Sequence, residues 1–232
     1  MKHERQHRNR TRTVLGVLSV AVALAAPAVG FAASKAPAAE THDGLTLVSD
    51  RSVWAAYVDP QADFSAYTKV MILDCYVAFI KDWERHKKTA SHLRVSHSDM
   101  EKIKAEVAGL FSKVFAEKLE ADGGYEITHA AGEDVLLVRP AIIDLDISAP
   151  DTQSPGRSRT YTASSGAATL YIELYDSVTG AVLARAIDRK AARTDGHFLS
   201  YTNRVTNKAD ARRALSKWAN LLRARLDEFR GK

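Results

Sequence analysis

Ala168-Thr-Leu-Tyr-Ile-Glu-Leu-Tyr-Asp-Ser-Val-Thr-Gly-Ala-Val-Leu-Ala-Arg-Ala-Ile-Asp188 is the stretch that decides the fold. Apolar and polar side chains alternate on both sides of Asp176-Ser-Val-Thr-Gly180, and a period of two marks a strand with one buried face. A short turn with glycine at its left-handed position joins the two runs into an antiparallel β-hairpin. Two further runs precede it. Asp134-Val-Leu-Leu-Val-Arg-Pro-Ala-Ile-Ile-Asp-Leu-Asp-Ile147 reads as a long strand. Pro140 cannot donate to a ladder, which predicts an edge or a bulge at that point. Lys69-Val-Met-Ile-Leu-Asp-Cys-Tyr-Val-Ala-Phe79 is apolar except for Asp74, with the β-branched and aromatic content of a central strand. Tyr125 to Thr128 adds a short one.

Two amphipathic segments complete the pattern. Ser98-Asp-Met-Glu101 reads as a capping box opening a helix over about 99–121. Met100, Ile103, Val107, Leu110, Phe111, Val114 and Leu119 form its apolar stripe, and Gly123-Gly124 ends it. A second helix runs from about Lys208 to Phe229 after Asn207, with Ala211, Ala214, Leu215, Trp218, Leu221, Leu222, Arg225 and Phe229 on one face. The order strand, helix, two strands, hairpin, helix predicts an α+β two-layer sandwich, a mostly antiparallel sheet with both helices on one face.

The N-terminus carries a different kind of signal. Lys2, Arg5, Arg8, Arg10 and Arg12 precede an apolar run from Val14 to Ala26, then Pro27 and Gly30-Phe-Ala32. Basic, apolar and small-residue regions in that order form a secretory leader, so residues 1–32 are expected to be a signal peptide cleaved after Ala32 or Ala33. Residues 33–48, rich in Ala and Pro, read as a flexible linker, and 49–232 as a single domain. The mature chain is expected outside the cytoplasm, in a periplasm or peripheral to an outer membrane. Residues 1–32 hold five of the 33 Lys+Arg and one of the 28 Asp+Glu, leaving a mature chain at a formal charge of +1. The basic character belongs to the leader, and no nucleic-acid partner is expected. The lone Cys75 excludes an internal disulfide and reads as a small buried hydrophobe. No cysteine follows the apolar run, so no lipid anchor is expected.

At this point the chain resembles a known family. Tyr57-Val-Asp-Pro-Gln-Ala-Asp-Phe-Ser-Ala-Tyr-Thr-Lys-Val-Met-Ile72, the hairpin Glu173 to Arg189, and Trp218-Ala-Asn-Leu-Leu-Arg-Ala-Arg-Leu226 are similar to the bacterial envelope family catalogued as domain of unknown function 3313, over about residues 49–229. The resemblance implies a small α/β envelope domain with no established activity and no agreed catalytic residues. Many members look like lipoproteins. This chain departs from them in lacking the leader cysteine.

Few residues point to chemistry. His86, His92 and His97 lie near Asp82, Glu84 and Asp99, but their spacing fits no helix face and basic residues intervene. No metal and no cofactor is expected. Asp144 and Asp146, two apart on a strand, would share a face, as a carboxylate pair for hydrolysis must. Ser164-Ser-Gly166 lies in a long loop expected over 149–168, and no nucleophile elbow, phosphate loop or dinucleotide fingerprint occurs. Trp54, Tyr57 and Trp83 fall outside the strand interiors and could line a sugar or peptide groove. The sequence therefore reads as a non-enzymatic envelope module with an unidentified protein or polymer partner. The alternative is a hydrolase of envelope polymers using Asp144 and Asp146.

Overall fold

The hairpin forms the middle of the sheet. The computed structural model describes residues 36–86, 95–147, 160–162, 164–193, 200–202 and 204–231. In chain order the strands are β1 (Thr46–Val48), β2 (Ala55–Val58), β3 (Lys69–Ile72), β4 (Tyr76–Phe79), β5 (Glu126–Ile127), β6 (Val135–Ile147), β7 (Thr160–Thr162), β8 (Ser164–Asp176), β9 (Val182–Arg193) and β10 (Ser200–Thr202). Helix α1 (His97–Glu120) lies between β4 and β5, and α2 (Arg204–Phe229) closes the chain. Eight strands make one sheet in the order β1-β2-β9-β8-β6-β3-β5, with β4 also against β6, while β7 and β10 pair separately. The chain is α+β. The sheet is mixed but mostly antiparallel, as expected: β3 and β4 run parallel to β6 and β5 parallel to β3, whereas the β1-β2, β2-β9, β9-β8 and β8-β6 pairings are antiparallel.

The run Lys69–Phe79 is one strand broken by a bulge. Ile72 pairs with Val138 and Tyr76 with Ala141, so four steps on this strand cover three on β6. The extra residue falls within Leu73–Cys75, the arrangement that defines a bulge. Arg139 and Pro140 lie across from it. Pro140 is therefore interior, between β8 and the broken strand, and not at an edge. The bulge leaves a gap in the ladder where proline has no N–H to give.

Both helices lie on one face. Phe111, Val114, Phe115 and Leu119 of α1 and Leu215, Trp218, Ala219 and Leu226 of α2 share one core with Leu136, Val138, Ile142, Leu170, Ile172 and Leu174 of the sheet. Phe111 and Phe115 stack at 3.9 Å. Helix α1 is capped two residues earlier than expected. Ser96 accepts from the Asp99 amide, and the Asp99 side chain accepts from the Ser96 amide, so the capping box is Ser96/Asp99 in place of Ser98/Glu101. At its other end Asp122 and Gly123 are both left-handed, at φ 52° and 68°. There the Arg223 guanidinium donates to the Leu119 and Ala121 carbonyls at 2.8 and 2.9 Å, satisfying acceptors the helix cannot pair internally.

The segment before residue 49 is not a tether throughout. Residues 37–48 belong to the same compact unit as the described residues from 49 onward. Leu45 is buried against Ala55 and Tyr57, and β1 extends the sheet beside β2. The Ala/Pro composition hid two apolar anchors, Leu45 and Leu47. Strand β8 likewise begins at Ser164, inside the loop expected over 149–168.

Candidate functional site

Register alone builds the site. On β8, Leu170, Ile172 and Leu174 turn to the helices, so Tyr171, Glu173 and Tyr175 turn to the opposite face. Glu173 pairs across with Arg139 of β6 and with Arg185 of β9, and Arg185 pairs with Tyr57 of β2. Neither helix shares this face.

Glu173 sits at its centre with an 8% exposed side chain. One carboxylate oxygen, Oε1, accepts from Tyr171 Oη at 2.9 Å and from Arg185 Nε at 2.9 Å. The other, Oε2, accepts from Tyr175 Oη at 2.7 Å and faces Arg139 Nη1 at 3.5 Å. Arg185 reaches further, its Nη2 lying 2.6 Å from Asp43 Oδ2 and 2.8 Å from Glu173 Oε1. Asp43 thereby clasps the N-terminal segment onto the sheet. Burial pushes the Glu173 carboxyl up, but the hydrogen bonds from Tyr175, Tyr171 and Arg185 outweigh it and hold the group below its ordinary range. Burial and donation to Glu173 push Tyr171 up to about 12 and Tyr175 up as well. The arrangement is an ionised carboxylate with its lone pairs occupied, between protonated phenols. Its donors come from β6, β8 and β9 and fix the three strands to one another on this face.

Asp144 and Asp146 flank Leu145, which turns to the core, but they lie at an irregular point of the strand. Asp144 is left-handed at φ 51°, and the β6–β8 register shifts between Ile143 and Asp146. The bulge sends the two carboxylates to separate partners. Asp144 accepts from Thr169 Oγ1 at 3.4 Å and Asp146 from the Trp83 indole at 3.1 Å. Trp54, Tyr57 and Trp83 line no common groove. Tyr57 is buried in the β2 edge cluster, Trp83 follows β4 and stacks on Phe79 at 4.3 Å, and β9, β8 and β6 lie between β2 and β4. Trp54 is 48% exposed, and its amide donates to Asp188 at 3.2 Å. Trp83 also lines a shallow cleft of about 390 Å³ with Phe79, Lys81, Met100 and Lys104. His86 and His97 are described while His92 lies outside the described residues; among the described residues no group of three metal-ligating side chains forms. The side chains of Ser164 and Ser165 lie outside the described residues as well.

The Glu173 cluster went unnoticed in the sequence, although its signal was present. Tyr171, Glu173 and Tyr175 alternate on the polar face of the hairpin, and counting back across the turn brings Arg185 opposite Glu173.

A family model spans residues 35–222, the sheet, α1 and most of α2. The chain belongs to the family described as Protein of unknown function (DUF3313). The match begins before residue 49, in keeping with the folded segment at 37–48. No curated protein matches the sequence. Among solved structures, protein XCC0632 from Xanthomonas campestris (family model DUF330) is similar at 13% identity over 71% of this chain and 86% of that one, with a TM-score of 0.37. The PelC dodecamer from Paraburkholderia phytofirmans is similar at 12% identity over 67% and 88%, with a TM-score of 0.34. A PDZ domain protein from Parabacteroides distasonis follows at 11% over 69% and 33%, TM-score 0.34. Among the described residues, no helix is long and apolar enough to cross a membrane.

Proposed function

We propose that this DUF3313 protein is exported by its N-terminal leader and works in the cell envelope as a non-catalytic binding or accessory module. Its partner would dock on the sheet face that the helices leave uncovered. The basic, apolar and small-residue pattern of residues 1–32 supports export. One observation carries the docking reading: the buried charge on that face, Glu173, is saturated by Tyr171, Tyr175 and Arg185, while half-buried Leu137, Ala141, Ile143 and Tyr175 surround it. A flat face of aromatic, aliphatic and arginine side chains has the composition of an interface core. The carboxylates that hydrolysis would need are engaged by Thr169 and Trp83.

Photo-crosslinking side chains placed at Ile143 or Tyr175 in living cells test this reading, with Lys113 on the exposed side of α1 as control. The expected result is a discrete adduct from both sheet positions and none from Lys113. Identical patterns from all three positions would overturn it. N-terminal sequencing of the cell-derived protein tests export, with a start at 33 or 34 expected and a retained Met1 contradicting it.

A further inference from the structure

The bulge in the β3–β4 strand does more than break a ladder. Ile72 and Cys75 both turn to the core, so the two residues between them, Leu73 and Asp74, are both pushed outward, followed by Tyr76. Leu73 is 38% exposed and Tyr76 64%, the largest exposure of any large apolar side chain among the described residues. Bulges re-aim side chains, and they are retained where the re-aimed group is used. Across the bulge, on the uncovered face, stands Arg139 with a 64% exposed side chain. Its Nη1 donates to Tyr175 Oη at 3.2 Å and faces Glu173, 3.5 Å away and already taken by Tyr171, Tyr175 and Arg185, while its Nε and Nη2 have no partner among the described residues. Among the described residues Asp74 has no ion-pair or hydrogen-bond partner, and β4 has no strand on the side away from β6.

One small patch thus holds two exposed apolar side chains flanked by an unpaired acid and an under-used arginine. A partner surface of a single charge sign would satisfy one of these and repel the other. A two-fold contact is different, because the same patch meets itself and each group meets its counterpart. We propose that two copies of this chain associate through this patch, the Tyr76 side chains packing at the axis and Arg139 of each copy pairing with Asp74 of the other. The inference rests on the reading of the uncovered face as a docking surface and names its occupant as a second copy. Tyrosine and arginine are the residue types that most often anchor such contacts.

Sedimentation equilibrium of the purified protein over a wide concentration range tests the proposal. A reversible dimer is expected, weakened by salt because charge pairs at its rim are screened. Asp74→Arg and Arg139→Asp should each raise the dimer dissociation constant by about tenfold or more, and the double exchange should restore it. Tyr76→Ser, at an exposed position with no bearing on the core, should weaken the dimer without changing the circular dichroism spectrum. It keeps the test decisive if Arg139→Asp disturbs the fold through Glu173. A protein monomeric at every concentration would overturn the proposal, as would a dimer indifferent to Asp74→Arg and Tyr76→Ser. If the protein is monomeric while crosslinks from Ile143 and Tyr175 capture another protein, the docking face stands and the second copy is wrong.

Discussion

Trp218 of α2 donates its indole N–H to Asp188 Oδ2 of β9 at 2.8 Å, tying the closing helix to the sheet through a buried carboxylate. The other oxygen of Asp188 accepts the Trp54 amide at 3.2 Å, so one side chain joins helix, hairpin and the approach to β2. Trp218→Ala removes a large aromatic from the core and leaves Asp188 short of a donor. We expect a loss of about 3–5 kcal/mol in urea unfolding. Reversing Arg212 and Arg213 should move stability by less than about 1 kcal/mol, because their pairs with Glu117 and Asp210 lie at the surface. Equal effects from the two changes would mean that α2 is not docked through Trp218.

Cys75 is buried beneath the bulge, and burial pushes its thiol up to about 12. The thiolate is the reactive form. Labelling by a thiol reagent at neutral pH should therefore be slow in the folded protein and fast in denaturant. Rapid native labelling would show that the bulge opens.

Gly124 follows the left-handed turn that ends α1, and a β-carbon there would overlap the Arg223 guanidinium and the Leu119 carbonyl. Gly124→Ala should displace Arg223 from the helix terminus and destabilise the protein by roughly 1–3 kcal/mol, as overpacking does. Gly109→Ala, with open space around it inside α1, should be neutral or mildly stabilising. Thermal unfolding of the pair separates the two cases.

Much of the fold is legible because periodicity is local. The hairpin, β6 and both helices follow from alternation or a 3.6-residue stripe, whereas the bulge expected in β6 at Pro140 lies opposite it, in the neighbouring strand between Ile72 and Tyr76. What escaped reading depends on partners far along the chain. Asp43 finds Arg185 across 142 positions, and nothing in an Ala/Pro-rich segment announces that pairing. The helix cap shifted because Ser96-x-x-Asp99 and Ser98-x-x-Glu101 both satisfy the motif, and only the backbone decides between them. The separate partners of Asp144 and Asp146, Thr169 and Trp83, lie far along the chain, and the left-handed Asp144 beside them is not announced by a two-residue alternation.

The Asp43 clasp has its own signature. Asp43→Ala should cost about 1–2 kcal/mol, since Arg185 keeps Glu173 but loses a bidentate partner. Hydrogen exchange should then accelerate in β1 and at the edge of β2, leaving β6 and β8 unchanged. Uniform acceleration would mean that the segment is integral to the whole sheet.

The proposed role of the uncovered face as a fixed platform requires Glu173 to stay ionised in the folded protein. Its carboxyl is held below the ordinary glutamate range in the folded protein. It therefore contributes stability that is fully present above the unfolded value and is lost as pH falls through the folded value. Titration of the Glu173 side-chain carboxyl by carbon-13 NMR, assigned with Glu173→Gln, reads this value. A midpoint below that of an exposed glutamate is expected. A midpoint raised toward neutrality would make Glu173 a proton donor in waiting and would overturn the platform reading.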